Sequence, residues 1–168
     1  MNCMWLDSDL KQAARNHATK HQTKLILEAT QMACSALHRH GLSELSPYRA
    51  THKNHPMTLW AGDSFDNWLL LRDYAGALHE VRYGVPYEDV LDNPDLAEHK
   101  SMRKFAEIPE RPVGLAMPNI GRTARPKCLG DFEPSRPDLS VEEAYREYYL
   151  AVKEPQDWFE WYEVPEWA

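Results

Sequence analysis

At 168 residues the chain is long enough for one domain, 1–168, with a sizeable core, and its 43% hydrophobic share is that of an ordinary globular protein. No run approaches the roughly 18 apolar residues of a membrane span and no signal peptide precedes the first helix. Three unmatched, widely spaced cysteines fit reduced thiols in the cytoplasm better than a disulfide or zinc framework. A net charge of -7 excludes broad electrostatic coating of DNA. The charge is uneven, however: residues 1–60 hold seven Lys/Arg against four Asp/Glu, and six of the eight histidines. That balance permits a small basic, His-rich site facing a phosphate or carboxylate.

Met1–Leu6 reads as a short strand or extended lead-in. Asp7, Ser8 and Asp9 offer N-cap oxygens, and the apolar periodicity predicts a helix from about Leu10 to His38, with Gly41 just past its end. Leu42–Pro56 is a polar loop. Pro56 suits the first turn of a second helix over Met57–Tyr83, which the Gly62–Ser64 region divides and Gly84 terminates. Short helices are expected over Tyr87–Leu91 and Pro94–Lys104. Glu107–Pro137, with six prolines and three glycines, reads as a long coil. Ser140, with Glu143 at the capping-box position, opens a last helix over Val141–Lys153. The aromatic tail Trp158–Trp167 is too apolar to float and should dock on the body. The expected fold is mainly α: a compact bundle of about three main helices, a Pro-rich coil and an aromatic C-terminal tail.

The first helix carries the most informative pattern. His17, His21, Lys24, Glu28 and Gln31, spaced +4, +3, +4, +3, fall within about 80° of arc, while the rest of Leu25–Leu37 is mostly apolar. A carboxylate on so buried a helix is costly unless paired or protonated. Glu28 is therefore the expected acid or base, with Lys24 and His21 beside it and His17 and Gln31 contacting substrate. A structural Lys24–Glu28 ion pair is the alternative, although lysine first is the weaker order at i,i+4. His17 and His21 at i,i+4 resemble half a zinc site, with His52 or His55 as a third ligand, but Lys24 one turn on repels a cation. No metal or cofactor is assigned.

His52-Lys53-Asn54-His55-Pro56 forms a second constellation, with His52, Asn54 and His55 as donors beside free helix-start N–H groups, suited to an anion; N-capping is the other role for Asn54 or His55. Trp60, Asn67 and Arg82 on the second helix, and Arg146 with Tyr145, Tyr148, Tyr149 and Lys153 on the last, complete the expected pocket, core packing being the alternative for the aromatics.

These blocks carry a resemblance. The run His17-x-x-Lys20-His21-x-x-Lys24-x-x-x-Glu28-x-x-Gln31, with Thr51-His52-Lys53-Asn54-His55-Pro56, Trp60, Asn67-Trp68, Arg82-Tyr83-Gly84, Ala116-Met117-Pro118, Tyr145-Arg146-x-Tyr148-Tyr149 and Pro165-x-Trp167, resembles a family of small phage and prokaryotic proteins. That likeness implies kinship without assigning a reaction. The family often has Asp-Lys-His where this chain has Thr19-Lys20-His21. More remotely, the block order is similar to the pyrimidine-dimer DNA glycosylases of the endonuclease V type, with His21, Glu28 and Trp167 at matching positions. This second resemblance implies a compact three-helix fold, and base excision and strand cleavage through an imine on the N-terminal amine, with Glu28 assisting. In those enzymes the amine belongs to a small residue exposed by Met removal; here residue 2 is Asn, which should leave Met1 in place. The functional expectation is an enzyme acting on nucleic acid or a nucleotide, glycosylase/lyase-like or base-modifying. Its alternatives are a non-catalytic binder of a small anionic ligand or nucleotide, and an accessory or structural phage-type protein. DNA or a nucleotide is the expected partner, with no membrane.

Overall fold

The computed structural model describes residues 2–168; the expectation for the Met1 amine lies outside them. The protein is mainly helical. Among the described residues eight α-helices run in chain order: α1 Leu10–Arg15, α2 Thr19–Arg39, α3 Pro56–Asp63, α4 Phe65–Tyr83, α5 Tyr87–Asp92, α6 Lys100–Ala106, α7 Glu110–Ala116 and α8 Val141–Tyr148. The last continues as a π-helical turn, Tyr149–Lys153. No strand forms among these residues; one isolated antiparallel bridge joins Ala18 to Trp161. Among the described residues no helix is long and apolar enough to cross a membrane.

The first expected helix is in fact two. Asp9 caps α1, accepting from the Gln12 N–H at 2.7 Å, but the chain leaves helical geometry at Asn16–Ala18 and restarts at Thr19. Neither Pro nor Gly stands at this break. The C-terminal tail holds it open: the Thr19 N–H donates to the Glu160 carbonyl (2.9 Å), the Tyr162 N–H to the His17 carbonyl (3.4 Å), and the Ala18 N–H to the Tyr149 hydroxyl (2.8 Å). Each supplies a partner that a helix turn would otherwise provide, which offsets the cost of interrupting it.

α2 and α4 pack against each other as the spine of the molecule. Trp68 and Leu71 of α4 and Ile26, Ala29, Met32 and Ala33 of α2 are all fully buried. Trp68 also donates its indole N–H to the Ala33 carbonyl. The extended segment from Cys3 to Leu6 threads this core, and Trp5 packs on Tyr74 with ring centroids 4.7 Å apart. Ser64 divides α3 from α4 and caps the latter, and Gly84 ends α4 in a left-handed conformation (φ 73°) that favours glycine.

The stretch expected to be coil from 107 to 137 contains α7. Its Pro112 stands in the first turn, where the missing N–H costs no helix bond. The capping box at Ser140 and Glu143 forms as expected. The aromatic tail docks as expected, and Trp161 contacts Tyr149, Phe159 and Trp167.

Candidate functional site

A cavity of about 520 Å³ opens over one face of α2, where His21, Lys24 and Glu28 line it together. The 3–4 spacing of these residues put them on one face, and the structure brings them together there. Glu28 is 9% exposed. Its Oε1 lies 3.3 Å from Lys24 Nζ, and its Oε2 accepts the backbone N–H of Asn2 at 2.7 Å. The Lys24 side chain is 60% exposed, so the ion pair is solvent-screened and weak. The bond to Asn2 spans 26 positions and comes from a residue held firmly in place. Asn2 donates its side-chain amide to the Cys128 carbonyl (2.7 Å) and accepts from the Tyr145 hydroxyl (3.0 Å), which in turn accepts the Cys128 N–H (2.9 Å).

Two further lysines enter the cavity from elsewhere in the chain. Lys127 donates to the Leu139 carbonyl, and Lys153 sits 5.0 Å from the centre of the Tyr148 ring. With Lys24 they place three ammonium groups against one carboxylate, a local surplus of positive charge in a chain whose net charge is -7. Cys128 also lines the cavity, but burial pushes its thiol up, so it stays protonated near neutrality and is a poor nucleophile.

The two histidines of the cavity are neutral. Burial, reinforced by the nearby His17, Lys153, Lys24 and Lys20, pushes His21 down to about 3. Burial likewise lowers His55. His55 caps α3, its Nδ1 accepting the Met57 N–H at 3.2 Å, as its N-capping role expected, and it also lines the cavity.

The remaining expected site residues do not join this cavity. His17 lies in the α1–α2 break, fully buried, with Nδ1 against the Ala13 carbonyl (2.5 Å) and Nε2 near the Tyr74 hydroxyl (3.2 Å). The loss of helical geometry rotates it off the stripe. Gln31, one turn beyond Glu28, falls outside the cavity lining. The His52–Pro56 turn points two ways. His52 is exposed, with a φ of 47° and a bond to its neighbour Thr51, while Asn54 lines a separate cavity of about 280 Å³ with Lys53 and Arg39.

Trp60 and Asn67 are structural pins. Asn67 donates to the Trp60 carbonyl (2.8 Å) and Thr123 Oγ1 (2.7 Å) and accepts the Thr123 N–H (2.9 Å), while Trp60 donates to the Thr123 carbonyl (3.3 Å). They fasten the coil after α7 to the core. Arg82 is exposed at the end of α4. Arg146 turns away from the cavity to bind the Leu6 carbonyl (2.8 Å) and Asp7 (3.0 Å), anchoring the N-terminal segment.

Asn2, Lys127 and Cys128 escaped the sequence reading because irregular segments carry them and no periodicity marks which way a side chain faces. Among the described residues no three His, Cys, Asp or Glu side chains converge in a metal-ligand group. No family model, curated protein or solved structure matches the chain.

Proposed function

We propose that the protein is a cytoplasmic enzyme acting on nucleic acid or a nucleotide, glycosylase/lyase-like in its chemistry, with Glu28 as its acid–base group. The observation that carries this reading is the 2.7 Å contact between the residue-2 backbone nitrogen and Glu28 Oε2 at a lysine-ringed cavity. In the glycosylases that the sequence resembles, the reactive amine belongs to residue 2 and works beside a helical carboxylate. The same nitrogen and a helical carboxylate are adjacent here. The chemistry requires hydrolysis of the Met1–Asn2 peptide bond, which turns that nitrogen into a free amine; the amine then bonds to the sugar C1′ as the glycosidic bond breaks. Glu28 takes the proton that the nitrogen sheds and passes it to the departing base. Lys24, Lys127 and Lys153 supply the charge to hold the flanking phosphates.

The test is borohydride trapping on DNA carrying an abasic site, run on the chain as it stands and on one beginning at Asn2. A covalent adduct with the Asn2-initiated chain, weakened by roughly a hundredfold or more in Glu28→Gln, is the expected result. No adduct on either chain removes the lyase chemistry. A nucleotide that binds without conversion, its affinity altered by Glu28→Gln, makes the cavity a binding site instead.

A further inference from the structure

Tyr149 opens the π-helical turn that follows α8. Such turns are uncommon and concentrate at functional positions, because they re-aim side chains that a regular helix would direct elsewhere. Here the turn sets the Tyr149 hydroxyl against two groups. It lies 2.8 Å from the Ala18 N–H and 2.6 Å from Nδ1 of His21. The amide can only donate, so the hydroxyl oxygen accepts from it; among the described residues His21 Nδ1 is its one other hydrogen-bond partner, and so receives the hydroxyl proton. Burial pushes the Tyr149 hydroxyl above its ordinary range, so it remains an O–H donor throughout the physiological interval. Nδ1 is then an acceptor. A neutral imidazole with an unprotonated Nδ1 carries its proton on Nε2, and His21 is neutral. The Nδ1 edge is turned to the interior, where Tyr149 is fully buried, while the ring itself borders the Glu28 cavity.

We propose that Tyr149 is a positioning residue that fixes His21 as a neutral Nε2–H donor facing the cavity, and that this donor binds an oxyanion of the phosphate class. The proposal rests on reading the Glu28 cavity as a substrate site. His55 is arranged in the same sense: its Nδ1 accepts the Met57 N–H, which places the proton of the neutral ring on Nε2, and the ring lines the cavity. The cavity thus combines two imidazole N–H donors with three ammonium groups, a set matched to acceptor-rich phosphate oxygens.

The experiment is long-range proton–nitrogen NMR of the imidazoles in the full-length protein at neutral pH, followed by titration with inorganic phosphate. The expected spectrum has His21 Nδ1 unprotonated and Nε2 protonated, with Nε2 shifting as phosphate binds. In Tyr149→Phe, His21 should become a mixture of tautomers and phosphate should bind about tenfold more weakly. A protonated Nδ1 in the unaltered protein overturns the proposal, as does a Tyr149→Phe spectrum identical to it. A phosphate titration that leaves Nε2 unmoved overturns the ligand class. Should the variant fail to fold, the spectrum and titration of the unaltered protein decide. Glu28→Gln serves as the control: it should lower turnover by about 10²–10⁴ while leaving the His21 tautomer intact, so the two readings fail separately.

Discussion

The Glu28 cavity and the Asn67 cluster are both buried polar groups on or beside the spine helices, and the sequence marks them alike. They differ in what is left over. Around Asn67 the amide donates twice and accepts once, all to groups of the same chain, while the Trp60 indole and Thr123 complete the set. Around Glu28 the ring nitrogens of His21 and His55 are each engaged on one side only, and Lys127 and Lys153 have no carboxylate partner among the described residues. Burial of a polar group therefore does not by itself separate scaffold from site. Spare hydrogen-bonding capacity facing a cavity is what distinguishes these two clusters.

The comparison breaks most sharply under paired substitutions. Glu28→Gln should cost about 10²–10⁴ in turnover, measured by single-turnover kinetics on the substrate that the trapping assay identifies. Its melting temperature should hardly move, because the amide oxygen can still accept the Asn2 N–H and the lost partner Lys24 is mostly exposed. Asn67→Ala should do the reverse. It leaves the Trp60 carbonyl and the Thr123 N–H without partners, so denaturant unfolding should show a loss of about 2–4 kcal/mol, with activity per folded molecule unchanged. Equal damage to both properties by either substitution would collapse the distinction.

Acid separates the scaffold in another way. His17 is fully buried, and burial holds its pKa at about 4, against 6.5 when exposed. The unfolded chain thus takes up a proton that the folded chain refuses. His17 contributes its full stability above pH 6.5 and loses it progressively as pH falls towards 4. At about 1.4 kcal/mol per pKa unit the loss approaches roughly 3 kcal/mol. Thermal melts from pH 7 to pH 4 should show the decline, and His17→Asn should lessen it, the remainder coming from the other buried histidines, His21 and His79. An unchanged slope in that variant assigns the acid sensitivity elsewhere.

Smaller effects sharpen the boundary of the site. Lys153→Met should weaken binding of an anionic substrate by roughly 1 kcal/mol, about fivefold, and reduce its salt dependence. Arg82→Ala, on the exposed end of α4, should stay within about 0.5 kcal/mol in stability and leave binding alone. A large effect of Arg82→Ala would extend the site beyond the cavity.

The helical elements were legible because their signals are local: Asp9 and Ser140 cap, the Gly62–Ser64 region divides, Gly84 terminates, and a 3–4 repeat set His21, Lys24 and Glu28 on one face. The break at Asn16–Ala18 was not, since the groups that enforce it are Tyr149, Glu160 and Tyr162, more than 130 positions away. His17 left the stripe for the same reason. Residues on the second and last helices divided by environment. Trp60, Asn67 and Arg146 have the side chains of a binding site but spend their hydrogen bonds on the coil and the N-terminal segment.

The Tyr149 hydroxyl touches Ala18 and His21, and Asn2 reaches Glu28 only where Cys128 and Tyr145 hold it. A ribosome delivers these partners at opposite ends of its work. At about 5–20 residues per second, roughly 7–30 s separate the emergence of Asn2 from that of Tyr149. Until then the bonds that interrupt the helix at Asn16–Ala18 cannot form. The cavity is thus completed late, and a half-made chain carries Glu28 without the groups that surround it in the folded protein.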